Sequence, residues 1–188
     1  MTVDQNTGPP LREGQGVVRK VLIGLMLICL NAFTVSAQSW MFARNGVEYV
    51  IELPSASWRV VSRIDVHEHV EFINGNDEAD GYLHISKILV NSGTSPFDLF
   101  QSEEKWNLQR LPGYVICGDC KGLAFSGHLT GATFSYEYSN AGKVMAGRIY
   151  YLQLDKLTFY TLRFTVAQDK LLSLRGQMDF IARSFRLK

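Results

Sequence analysis

The sequence predicts an α+β domain: one antiparallel β-sheet of about seven strands flanked by two helices, an αβα sandwich. Three observations carry that prediction. Alternating, β-rich runs recur from Val47 to Val166, one segment among them switches to helical spacing behind a capping signal, and the closing segment repeats apolar residues at three and four. The 188 residues are 46% hydrophobic with a formal charge of +1, and no internal repeat or low-complexity linker divides them.

The elements follow in order. "VEYVIEL" (Val47 to Leu53) alternates as a strand does and Pro54 ends it; "SWRVVSRI" (Ser57 to Ile64) and "HEHVEFI" (His67 to Ile73) are further strands. The polar run Asn74 to Asp80 makes a hairpin loop into "YLHISKILV" (Tyr82 to Val90). Ser95 then reads as an N-cap with Pro96 at the first helical position, where a missing N–H costs nothing. Phe97, Phe100, Leu108 and Leu111 approximate one face of this helix, and Pro112-Gly113 stops it. Glu103 and Glu104 beside Lys105 read as its solvated side.

Beyond "CGDC" come "LAFSGHL", "ATFSYEYS" and the long pair "KVMAGRIYYLQL" and "LTFYTLRFTV", the last two joined at Asp155-Lys156 as an antiparallel hairpin. A closing helix from about Gln168 places Leu171, Leu174, Met178, Ile181 and Phe185 on one face, which must lie on the sheet. Phe134, Tyr136, Tyr138, Tyr150, Tyr151, Phe159 and Tyr160 fall on neighbouring strands, where core packing is the default role and an aromatic ligand pocket the alternative.

The first 37 residues stand apart. Arg12, Arg19 and Lys20 precede the apolar run Val21 to Leu30, and Val35 and Ala37 present a small-residue site before Gln38. That order predicts a Sec-type signal peptide cleaved between Ala37 and Gln38, a domain over 38–188, and an exported product, periplasmic or extracellular. An uncleaved N-terminal anchor is the competing reading, but the uncharged run Val21 to Ala37 is short for a span and holds Asn31, Thr34 and Ser36. Cys29 follows Ile28, so a lipid-attachment site is not indicated. After cleavage no stable membrane span is expected. From Gln38 on, sixteen basic residues balance sixteen acidic ones with no basic stripe, which argues against nucleic acid as a partner.

The layout resembles the PsbP-like superfamily, which includes the Mog-type Ran-binding proteins and bacterial DcrB-like envelope proteins. "YVIELPSASW" (Tyr49 to Trp58) is similar to its opening strand, Leu-Pro turn and Trp; "LPGY" (Leu111 to Tyr114) to its post-helix turn; "GRIYYLQLDKLTFYTLRFTV" with "SFR" (Ser184 to Arg186) to its last hairpin and helix end. The resemblance implies an antiparallel sheet between helices and a binding or assembly role rather than an enzyme. It supplies no functional residue. "CGDC" is no part of the family's general pattern.

Cys117 and Cys120 flank Gly118-Asp119, which is turn chemistry, so the stretch reads as a two-residue hairpin. In an exported protein two thiols this close should oxidise. A bond closing so small a loop is worth about 2 kcal/mol at most. A redox pair would want a helix N-terminus behind it, and the following "KGLAFSGHLTG" is glycine-rich and β-like. A metal needs more ligands than two thiolates. His67, His69 and Glu71 share one face of their strand, with Val66, Val70 and Phe72 on the other. If Leu83, Ile85 and Leu89 face inward, His84 joins that outward stripe and the three histidines could hold zinc or copper. The competing reading is a solvent-facing polar stripe.

No G-x-S-x-G, phosphate-binding glycine loop, H-E-x-x-H or dinucleotide fingerprint is present. The expectation is therefore a non-enzymatic exported binding or assembly protein, without a cofactor, that holds a protein partner or a small apolar ligand. The alternative is an envelope thiol-disulfide or metal-handling protein using Cys117 and Cys120.

Overall fold

In the computed structural model the described residues are 39–188 without 44–45, 63–69, 75–80 and 125–128; the side chains of 61–62, 70–74 and 118–124 also lie outside the description. Among them ten strands and two α-helices follow one another: β1 (Trp40–Phe42), β2 (Tyr49–Leu53), β3 (Trp58–Ser62), β4 (Val70–Asn74), β5 (Gly81–Leu89), α1 (Pro96–Trp106), β6 (Val115–Ala124), β7 (Thr130–Asn140), β8 (Lys143–Gln153), β9 (Thr158–Ala167), α2 (Leu171–Ser184) and β10 (Arg186–Leu187).

Seven strands make one sheet in the order β3-β4-β5-β9-β8-β7-β6, every neighbouring pair antiparallel. The chain leaves the sheet after β5, crosses one face as α1, and re-enters at the far edge as β6. From there it returns strand by strand until β9 pairs with β5. At the β7–β8 turn, Ala141 and Gly142 both have positive φ (48° and 78°), the backbone that a two-residue hairpin requires.

Each helix buries one face against the sheet, so the strands alternate between two cores. On the α1 side Phe100 and Leu108 pack on Phe134, Tyr136, Ile149, Tyr151 and Phe159, with the Phe100 and Phe134 rings stacked at 4.0 Å. On the α2 side Leu174, Met178, Ile181 and Phe185 meet Leu83, Ile85, Tyr150, Leu152, Leu162 and Phe164. The aromatic residues of β7, β8 and β9 are thus core, as their β-pattern predicts, except half-buried Tyr138.

The start of α1 is written locally. Ser95 Oγ accepts from the Asp98 N–H (3.2 Å), Asp98 Oδ2 accepts from the Ser95 N–H (2.8 Å), and Pro96 begins the helix. Ser95→Ala should cost about 1 kcal/mol in a urea melt. The same bonds hold the Asp98 carboxyl below its ordinary 3.8, so the folded state binds that proton less readily than the unfolded chain. The contribution of Asp98 is therefore present above that value and fades as pH falls below it, so an Asp98→Asn melt should converge with the parent below about pH 4.

Four expectations need correction. The "VEYVIEL" strand does not join the main sheet: β2 pairs with β1 on one side and β10 on the other, a separate three-stranded sheet. Helix α1 ends at Trp106, followed by a 3₁₀ turn over Leu108–Arg110, and Phe97 in the first turn is 51% exposed, although its ring meets that of Phe134 at 6.4 Å. Leu89, at the end of β5, is 76% exposed, although Leu83 and Ile85 do face inward. Gly118-Asp119 is no hairpin turn; both residues lie inside β6, where the register shifts between Cys117 and Lys121. Of the "LAFSGHL" run, Leu123 and Ala124 complete β6, and 125–128 lie outside the described residues.

Candidate functional site

Beside α1 the sheet presents three rows of side chains on β8, β9 and β5. The rows are Tyr151–Thr161–Ser86, Ile149–Arg163–His84 and Gly147–Thr165–Tyr82, each read directly across the ladders. Directly opposite residues lie within side-chain contact of each other, so the columns form one surface. It grades from buried under the helix to open at its rim: Thr161 is buried, His84, Ser86 and Thr165 are half-buried, and Tyr82 is 45% exposed.

Glu103 ties this surface to α1. Its Oε2 accepts from the Tyr151 hydroxyl at 2.6 Å, and its Oε1 pairs with the Arg163 guanidinium. One turn position on, Glu104 Oε1 accepts from the Tyr114 hydroxyl at 3.0 Å. Burial lowers the Arg163 guanidinium below its ordinary range and raises the Tyr151 phenol. The carboxylate is the compensating group for both: it faces the cation, which neutralises it, and the hydroxyl, which fills its second oxygen. The Glu103–Glu104 pair is therefore not the solvated side that the sequence suggested. Next to it the buried Thr161 Oγ1 has no hydrogen-bond partner among the described residues.

The opposite face holds a second charged group inside the core. Arg148 is 3% exposed; its Nε donates to the Tyr150 hydroxyl (2.7 Å), Nη1 to Ser135 Oγ (2.9 Å) and Nη2 to Asp179 Oδ1 on α2 (3.0 Å). Tyr150 also donates to that Asp179 oxygen, at 2.5 Å. Burial pulls the Arg148 guanidinium down, but Tyr150 and Asp179 outweigh it and hold the group charged. This network docks α2; it offers nothing to a ligand from outside.

No protein-family model and no curated sequence matches the chain. Solved structures do. LpqN of Mycobacterium tuberculosis, described as involved in cell envelope biogenesis, matches with a TM-score of 0.56 and 16% identity over 80% of this chain and 91% of its own. The cyanobacterial PsbP protein CyanoP of Synechocystis sp. PCC 6803 matches at 0.55 and 15% over 81% and 94%. The Ran-binding protein Mog1p of Saccharomyces cerevisiae matches at 0.56 and 8% over 81% and 96%. The chain has the PsbP-like fold.

Within that fold the residues singled out in the sequence are scattered. His84 lies on β5 with Arg163 directly opposite on β9, so its side chain shares a surface with a guanidinium. A cation beside a prospective metal ligand weakens the site electrostatically. His67 and His69 lie outside the described residues, as do Ala37 and Gln38. Cys117 is half-buried on β6, and the side chain of Cys120 lies outside the description. Among the described residues no cluster of three or more metal-ligating side chains occurs.

Sequence reasoning gave Glu103 and Tyr151 other roles, and two arginines and an aspartate, Arg163, Arg148 and Asp179, escaped it. The signal for two of them was available. Arg148 and Arg163 interrupt the apolar runs "AGRIYYL" and "TLRFTV", and a cation inside a strand buried on both faces demands a partner. The carboxylates had no such mark, because a helix Glu or Asp looks the same whether it faces water or a distant strand.

Proposed function

We propose that this protein is an exported, non-enzymatic binding or assembly protein and that it meets a protein partner on the rim of the β5–β9 surface beside α1. The observation that carries the reading is the composition of that rim: Tyr82, His84, Thr165 and the outer part of Arg163 stand together on two neighbouring strands paired with each other along their length. Tyr and Arg are the side chains that dominate protein interfaces, and strands hold them without the ordering cost a loop would incur. The charged members already have intramolecular partners, which suits recognition better than proton or group transfer. The leader pattern ending at Ala37 supports export. The PsbP-like neighbours include a Ran-binding protein and a protein of cell envelope biogenesis, which is consistent with a protein-binding role in the envelope.

The test is site-specific photocrosslinking in the native host, with the probe placed at position 82, at its cross-strand neighbour 165, or at Lys156 in the β8–β9 turn. The expected result is one adduct of common mass from 82 and 165 and none from 156. Adducts from 156 alone, or from none of the three, would reject this surface.

A further inference from the structure

The outer side of α2 and the strand beside its end carry large apolar side chains that the fold leaves uncovered. With Leu174, Met178 and Ile181 turned to the sheet, Leu172, Gly176, Phe180 and Arg183 follow one another along the opposite side. Leu172 is 83% exposed and Phe180 40%. A Cβ built on Gly176, between them, would meet nothing within 4 Å, so the two side chains project singly. Phe180 lies one turn before Ser184, whose Oγ accepts from the Glu52 N–H at 2.8 Å; Trp40, 53% exposed, stands opposite Leu53, the next residue of β2. The same stretch is charged. Five of the nineteen residues from Lys170 to Lys188 are basic and one, Asp179, is acidic, whereas residues 38–169 hold 11 basic and 15 acidic ones. Asp179 is taken up by Arg148 in the core, so it does not offset the cations outside.

We infer that this side of the molecule docks on an anionic lipid bilayer, with Leu172, Phe180 and Trp40 entering the interface and Lys170, Arg175 and Arg183 meeting the headgroups. The inference is independent of the rim proposed above. That rim lies on the α1 face of the seven-stranded sheet and α2 covers the other, so lipid and protein partner are met on opposite faces. Three observations favour a bilayer as the occupant. Aromatic and leucine side chains among lysine and arginine are the composition of helices that lie in a membrane interface. Side chains that project singly suit fluid hydrocarbon, which closes round any shape, whereas protein interfaces seat their anchors in fitted pockets. The apolar run Val21 to Leu30 precedes Trp40 in the chain, so a chain directed by that leader reaches a membrane with β1 ahead of the other strands. Each cation close to an anionic surface strengthens binding about fivefold, which the excess of basic residues from Lys170 on exploits.

The experiment uses the full chain and phosphatidylcholine vesicles with a photoactivatable diazirine in the acyl chain, with or without about 30 mol% phosphatidylglycerol. After irradiation and digestion with trypsin, lipid adducts are located by mass spectrometry. The expected adducts lie on the peptides Leu171 to Arg175 and Gly176 to Arg183. About tenfold fewer should form without phosphatidylglycerol, or in the double variant Leu172→Ser, Phe180→Ser. Leu172→Ser alone, at the more exposed site, should show a smaller loss of the same kind with unchanged circular dichroism. Adducts confined to other peptides would overturn the surface. The peptide Val21 to Arg44 is included there, since it holds the apolar run and can bind lipid by itself. No adducts at all, or α2 adducts that neither change reduces, would overturn it too. A photoactivatable residue at position 172 in the native host that yields a protein-sized adduct in place of a lipid one would overturn it in favour of an acidic protein partner.

Discussion

Asp179→Ala is expected to lower the stability of this protein by about 3 kcal/mol, near the lower end of the 3–5 kcal/mol that breaking a buried ion pair costs. The loss comes less from the missing bond than from what stays behind. Arg148 keeps its charge with its side chain 4% exposed, and its remaining partners, the Tyr150 hydroxyl and Ser135, are neutral. The lower end is chosen because Asp179 itself is 25% exposed, so water can follow the truncated side chain. Urea melts should show the midpoint falling with an unchanged slope, and the melting temperature should drop by about 6–12 °C. Asp179→Asn retains an acceptor and should lose about half as much. The double variant Arg148→Met, Asp179→Leu should recover most of the loss, because it removes the buried charge together with its partner. A double variant as unstable as Asp179→Ala would mean that the network is not governed by desolvation.

Gly147→Val should have a comparable effect through a different cause. Gly147 on β8 lies opposite Tyr136 on β7, and the phenol ring lies flat across the glycine. A Cβ placed there would lie well short of contact distance from Cζ and Cε1 of Tyr136, and 2.6 Å from its hydroxyl oxygen. The ring has little room to swing aside, since it is 2% exposed and Tyr114 and Tyr138 flank it with centroids at 5.9 and 6.0 Å. Overpacking of this kind costs about 1–3 kcal/mol, and the lack of a free direction argues for the upper part of that range. The measurement is the same urea series combined with near-ultraviolet circular dichroism, which should report the displaced tyrosines. Tyr136→Ala in the Gly147→Val background should be less destabilising than the two single effects added together. Simple additivity would show that the ring and the glycine do not compete for the same space.

The parts of this fold that were legible in the sequence are those whose cause is local. Ser95, Pro96 and Asp98 specify the start of α1 within four residues, and α1 starts there. The closing helix buries Leu174, Met178, Ile181 and Phe185 because a period of three and four leaves them no other face. What stayed hidden is set by partners remote in sequence. Turn chemistry in "CGDC" is plain, yet whether it ends a strand or bows out of one depends on the register that β7 imposes. Alternation placed His84 on the face away from Leu83 and Ile85, but not that Arg163 would stand opposite. Glu103 differs from a solvated glutamate only because Arg163 and Tyr151 reach it.

The strand β2 has a consequence for how the chain is made. Its ladder is bonded on one side by β1 at Trp40–Phe42 and on the other by β10 at Arg186–Leu187, and Lys188 N–H reaches the Glu48 carbonyl at 2.9 Å. Tyr49 stacks on Phe185 at 5.2 Å, so the core above the sheet is sealed by residues nearly the whole domain apart. A ribosome delivers the first of these segments many seconds before the last, at about 5–20 residues per second. The early strand therefore waits without its second neighbour until residue 187 has been synthesised, and a nascent chain has no way to finish this core early. That delay gives a chaperone a window in which the chain is still open.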